Sequence, residues 1–80
     1  MGIEKTRDEL RETIRTNLIS LRKSKGLNQT DIADYVGKKG TTVASWEQGI
    51  SLPDITTLYK LSDFYYVTME YFFVEHEEIL

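Results

Sequence analysis

Glycines at positions 26, 37 and 49 each close a stretch of helical periodicity, and they lie so close together that the middle of this chain has room only for short helices. Ahead of the first glycine, Leu10, Ile14, Leu18 and Leu21 follow one another at helical spacing, and the basic residues Arg22, Lys23 and Lys25 suit a helix C-terminus. Thr6 and Glu9 make a capping-box pair at the start of this helix, and a shorter helix beginning near Thr13 is the alternative. Asn28 is placed to cap a second helix whose apolar positions are Ile32, Ala33 and Val36, closed by Gly37. After Lys38, Lys39 and Gly40, a third pattern from Thr41 to Gln48 carries Val43, Ala44 and Trp46. Isolated helices of this length are marginal in water, so tertiary packing must hold both, with Leu27, Val43 and Trp46 as contributors to the core.

Pro53 and Asp54 mark the next helix start, and Ile55, Leu58, Leu61 and Tyr65 then fall on one face. Thr68 can cap a final short helix containing Met69, Phe72 and Phe73, after which VEHEEIL reads as a fraying acidic tail. The stretch TTVASW is rich in β-formers, yet helix stops bound it and no partner strand is apparent. The expected fold is all-α, a compact bundle of four to five short helices. Residues 1–13 form an N-terminal arm or helix extension, 14–73 the folded domain, and 74–80 an acidic tail or the start of a linker to a further domain.

Composition narrows the function. Eighty residues give a modest core with little left for a second site, and the absence of cysteine removes disulfides, thiol nucleophiles and thiolate metal sites. The charged N-terminus is unlike a secretory leader and no stretch is apolar enough to span a bilayer, so the chain is read as cytoplasmic, without membrane contact. The net charge of −3 argues at first against a polyanionic partner. Its distribution reverses the argument: residues 15–39 hold six basic residues (Arg15, Arg22, Lys23, Lys25, Lys38, Lys39) against Asp31 and Asp34, which allows a local positive face.

Two short helices joined by a tight, glycine-containing turn are a helix-turn-helix, in which the second helix enters the DNA major groove. The segments LNQTDIADYVG (27–37), TVASWEQG (42–49), LPDI (52–55) and LYKLS (58–62) together resemble the lambda repressor-like (Cro/CI, or XRE) family over roughly residues 14 to 73. The resemblance implies that Gln29 hydrogen-bonds a DNA phosphate and buttresses the recognition helix. It places the base-reading positions on Gly40, Thr41, Ala44 and Ser45, beside Thr42, with Gln48 again near a phosphate. Thr and Ser hydroxyls can donate or accept at base edges and Ala44 can meet a thymine methyl. This is a small-residue surface without Arg or Gln forks for guanine or adenine, so Lys38 and Lys39 are expected to supply much of the affinity, and specificity to lean on water, DNA shape or dimer spacing. Two departures from the family pattern stand out: lysines at 38 and 39 precede the third helix, and Tyr66 stands where a glycine normally ends the fourth, so that its exit is open to a different construction.

The function read from this is a sequence-specific DNA-binding transcriptional regulator, a repressor that binds an inverted-repeat operator as a homodimer on double-stranded DNA. No enzymatic site, cofactor or metal is expected. Asp31 and Asp34 lack a nucleophile or oxyanion donor and read as surface charges; His76 with Glu75, Glu77 and Glu78 reads as a solvated tail. Trp46 reads as core. Seven aromatic rings between Tyr59 and Phe73 exceed what one small helical pair can hide, which suggests a dimer or partner surface on the C-terminal helices, or contact with a further C-terminal domain. The alternative is a protein-interaction module, an antitoxin or adaptor that uses the same fold to bind a protein.

Overall fold

The computed structural model describes residues 5–76. Four α-helices run in chain order, α1 (Arg7–Ser24), α2 (Gln29–Val36), α3 (Gly40–Glu47) and α4 (Ile55–Tyr65), followed by a 3₁₀ helix at Met69–Phe73. Among the described residues there is no strand. The C-terminal element, expected as a short α-helix, is a tighter 3₁₀ turn: five residues between the Thr68 cap and the extended Val74 leave few i→i+4 bonds to form.

Side-chain chemistry sets the helix starts. The Thr6 hydroxyl accepts from Glu9 N–H at 3.1 Å while the Glu9 carboxylate accepts from Thr6 N–H at 2.9 Å, so α1 begins at Arg7 and residues 7–13 are its first turns. Asn28 and Asp31 make the same reciprocal pair at the start of α2, both bonds at 2.9 Å. Asp31 is therefore a cap and not simply a surface charge. Asp54 caps α4 by accepting from Thr57 N–H at 2.8 Å, and Thr68 caps the 3₁₀ helix.

Ile14 and Leu18 of α1, Ile32, Ala33 and Val36 of α2, Val43 and Trp46 of α3, Leu58, Leu61 and Tyr65 of α4, and Phe72 of the 3₁₀ helix form a single core. Trp46 is 3% exposed and Phe72 fully buried, so the two eight-residue helices are held by the packing that their length demands. Leu10, Leu21 and Leu27 pack at the core's edge.

The polypeptide then returns to α1. The buried Asn17 amide donates to the carbonyls of Tyr71, Phe72 and Val74 at 3.0 to 3.1 Å. Lys5 bridges to Glu75 at 3.1 Å, and the His76 ring stacks on Tyr71 with centroids 3.7 Å apart. Residues 74–76 are thus exposed, as expected of a solvated tail, yet held against the domain by these contacts; 77–80 lie outside the described residues. The cause is Asn17, whose amide satisfies carbonyls that a 3₁₀ end leaves open.

Candidate nucleic-acid interface

Between α2 and α3 the chain has three residues, Gly37, Lys38 and Lys39. Gly37 ends α2 in the left-handed region at φ 75°, its N–H and that of Lys38 both returning to the Ala33 carbonyl. A Cβ at Gly37 would meet no atom within 4 Å, so the glycine is demanded by backbone conformation and not by space. This turn sets α3 across α2, and the two are locked by Ile32, Val36, Val43 and Trp46 beneath them.

On α3 the buried residues are Val43, Trp46 and Glu47. The opposite stripe, at positions 41, 44, 45 and 48, is Thr41, Ala44, Ser45 and Gln48, with Thr41 and Gln48 exposed and the two between them half-buried. Gly40 opens the helix, and a Cβ there would sit 4.0 Å from the Thr30 hydroxyl, an ordinary contact, so a larger residue fits this position. Thr42 is half-buried at the side of the stripe. The Ser45 hydroxyl is not free: it shares a 2.8 Å hydrogen bond with Ser51 in the loop that follows. One donor and one acceptor direction between the two hydroxyls are committed to each other before any ligand arrives.

Lys38 and Lys39 are exposed beside the start of α3. Lys39 is the N-cap and makes no side-chain cap, so the N–H groups of Gly40 and Thr41 are the open donors of that helix end. At α2 the capping box uses the Asn28 and Asp31 N–H groups and leaves those of Gln29 and Thr30. Lys38 stands near enough to Asp54 that its charge helps, after the hydrogen bonds from Thr57, to hold the Asp54 carboxyl below the usual carboxylate range.

The positive face is smaller than composition suggests. Arg15 is spent on Glu12 at 2.7 Å and on the Glu47 carbonyl at 3.2 Å. Arg22 forks onto Glu47, Nε to Oε2 at 2.7 Å and Nη2 to Oε1 at 2.9 Å, and donates from Nη1 to the Leu27 carbonyl at 2.8 Å. Lys23, Lys25, Lys38 and Lys39 are the exposed cations of the stretch.

Glu47 is invisible to motif reading. It is 8% exposed; burial works to raise its carboxyl, and the bonds from Arg22 and Gln29 outweigh burial and keep it low. Gln29 meets it with Nε2 donating to Oε1 at 2.9 Å. The signal is present in the spacing: Val43, Trp46 and Glu47 fall at i, i+3 and i+4, and Ile14, Leu18 and Arg22 at steps of four, so each charged residue continues an apolar stripe and calls for the other.

Residues 18–72, more than half of the sequence, match the helix-turn-helix family HTH_3. The chain belongs to this family. Solved structures similar to it include an HTH_3 family transcriptional regulator from Vibrio cholerae, 31% identical with a TM-score of 0.73, covering 85% of this chain and 38% of that one. A transcriptional regulator from Listeria innocua is 27% identical with a TM-score of 0.74, covering 84% of this chain and 63% of the other. The SOS-response transcriptional repressor LexA from Eubacterium rectale superposes with a TM-score of 0.82 over 95% of this chain and 81% of its own length; at 20% identity it bears on the fold alone. A search of curated proteins found no match. In this helix-turn-helix domain α2 and α3 are the two named helices, and the stripe of Thr41, Ala44, Ser45 and Gln48 is the outward face of the second.

Not all seven rings are hidden, as their number led one to expect. Tyr65 and Phe72 are core, Phe64, Tyr71 and Phe73 are half-buried, and Tyr59 and Tyr66 are exposed. Three of the four large exposed aliphatic groups among the described residues lie around the α3–α4 loop: Ile50, Leu52 and, 74% exposed, Ile55, which sits one turn before Tyr59 on α4; the fourth is Val74. Exposed apolar groups thus occur both beside the helix-turn-helix and, at Tyr66 and Val74, near the C-terminal turn, while Phe64 packs against Tyr35 of α2 at a 4.4 Å centroid distance.

Proposed function

We propose that this protein is a sequence-specific DNA-binding transcriptional regulator, acting as a repressor in the cytoplasm, with α3 lying in the major groove of duplex DNA. The observation that carries the reading is the outward stripe of small polar and methyl groups on α3, flanked by two exposed lysines and by open N–H donors at the starts of both helices. Thr41, Ala44 and Ser45 read base edges, Gly40 and Thr42 border them, and Lys38, Lys39, Gln29 and Gln48 hold phosphates. Family membership and the two regulators at 27% and 31% identity support the regulatory role.

The operator is an inverted repeat bound by a homodimer. Ile50, Leu52 and Ile55, which follow α3 directly, together with the exposed ring of Tyr59, are the surface that meets a second copy. The same strip favours the alternative, an adaptor that binds a protein partner.

Selection of bound sequences from a random duplex library, at about 50 and 200 mM salt, tests the proposal because phosphate-driven binding falls steeply across that span. Enrichment of an inverted repeat at the higher salt is the expected result. Absence of any binding overturns it in favour of the protein-partner reading.

A further inference from the structure

Gln29 opens α2 and Glu47 closes the buried side of α3, and one hydrogen bond joins them across the helix-turn-helix. The two ends of an amide are nearly isosteric, and what distinguishes them is hydrogen-bond sense: the nitrogen donates twice and the oxygen only accepts. An ionised carboxylate only accepts. Against Glu47, therefore, the Gln29 amide has a single permitted sense, with Nε2 inward on Oε1 and its second N–H left over; the flipped amide would set Oε1 against a carboxylate oxygen.

Three further contacts make this constraint rigid. The Arg22 guanidinium fork occupies both Glu47 oxygens, so the carboxylate cannot rotate away from Gln29 without breaking a charge-assisted pair. Arg22 is itself held by the Leu27 carbonyl, two residues before Gln29, and Arg15 reaches the Glu47 carbonyl, so the carboxylate, its counter-charge and the amide are fixed to α1, to the start of α2 and to the end of α3 at once. Arg22 also neutralises Glu47, so the amide has no uncompensated carboxylate behind it.

We propose that Glu47 is a positioning residue for DNA-backbone binding: through its bond to Gln29 it fixes the sense of that amide, so that Gln29 presents an N–H and not a carbonyl oxygen toward the phosphate. The inference rests on the DNA-binding reading above, and it makes recognition depend on a buried acidic residue that touches no DNA.

The experiment combines a structural signature with a mutant cycle. In the free protein, the Gln29 side-chain amide gives two ¹⁵N-coupled proton resonances, of which one is shifted downfield and slow to exchange because it lies on a carboxylate. Glu47→Gln, whose amide can accept or donate, collapses that signature. On duplex DNA, E47Q in the native background weakens binding by about tenfold, the cost of a hydrogen bond to a charged group. In the Q29A background the same change adds less than about twofold, because the residue it acts through is gone. Should E47Q lose the fold, Arg22→Met with Glu47→Leu removes both charges as an apolar pair and carries the same two expectations. An unchanged Gln29 resonance pair in these variants, or losses of affinity that add independently of Gln29, overturns the proposal. If the native protein binds no duplex, the resonance signature still decides whether Glu47 orients the amide, and the DNA-binding reading fails separately.

Discussion

Asn17 and Phe72 are joined by a 3.0 Å hydrogen bond from a buried amide to a backbone carbonyl 55 residues away, and this bond fixes how the C-terminal turn meets α1. The same nitrogen reaches the Tyr71 and Val74 carbonyls, so one side chain satisfies most of what a short 3₁₀ end leaves open. Removal leaves buried acceptors without donors. Asn17→Ala is expected to cost about 2–3 kcal/mol, the penalty for leaving a buried polar group unsatisfied. Urea unfolding checks it, and hydrogen exchange should show residues 71–74 losing protection ahead of α1.

Tyr66 ends α4 at φ 58° with its ring 90% exposed. The residue reproduces a glycine-type exit using a side chain that disfavours it, and the ring gains almost nothing from packing in return. Tyr66→Gly is therefore expected to raise stability by about 0.5–1 kcal/mol, since relief of left-handed strain exceeds the entropy cost of the more flexible residue. A thermal melt distinguishes this from the destabilisation that glycine causes inside a helix.

Local chemistry makes most of the fold legible. Asn28, Gly37, Asp54, Thr68 and the 3.6-residue apolar spacing place the helices because capping and periodicity depend only on neighbours in sequence. The outward stripe on α3 follows from the same period once Trp46 is assigned to the core. Arg22, Glu47 and Asn17 escape such reading because their roles are made by partners 18 to 57 residues away. A charge on an apolar stripe signals a buried ion pair without saying which counter-charge completes it. The strip at Ile50, Leu52 and Ile55 escapes it for the converse reason: the aromatic run beyond it looks too large to bury, and most of its rings are buried or half-buried.

Burial in the core, with the Glu47 carboxylate nearby, pushes the Tyr65 phenol up to about 12, against a smaller opposing effect of Arg22. A pKa raised on folding stabilises the native state fully below the unfolded value, near pH 10, and that contribution is lost as pH climbs through the folded value. Between pH 9 and 12 the native chain is expected to lose about 2–3 kcal/mol that Tyr65→Phe does not lose. Glu47 behaves oppositely: its folded pKa is depressed, so its contribution is present above the unfolded value of about 4.3 and disappears as pH falls below it. Denaturant midpoints across pH 3–12 for the native protein, Y65F and E47Q separate the two arms. Equal alkaline losses in native and Y65F proteins would sink the first assignment.

Lys38 and Lys39 stand outside the outward stripe of α3, and on the proposed function their expected signature on DNA differs from that of the stripe. Lys38→Ala with Lys39→Ala should weaken binding to every duplex alike and reduce the logarithmic salt slope by roughly 2, close to one unit for each phosphate that no longer meets a cation. Thr41→Ala should leave the slope unchanged and alter preference at particular base pairs. Asp54 supplies the control. Its carboxylate lies near Lys38, while its capping bond to Thr57 is one that asparagine also makes. Asp54→Asn is therefore expected to tighten binding to specific and random duplexes together, by about twofold at low salt and by less as salt screens the charge. Titration of labelled duplex at several salt concentrations measures all three, and a sequence-dependent gain in D54N would show that Asp54 acts on the reading helix instead of on the phosphate field.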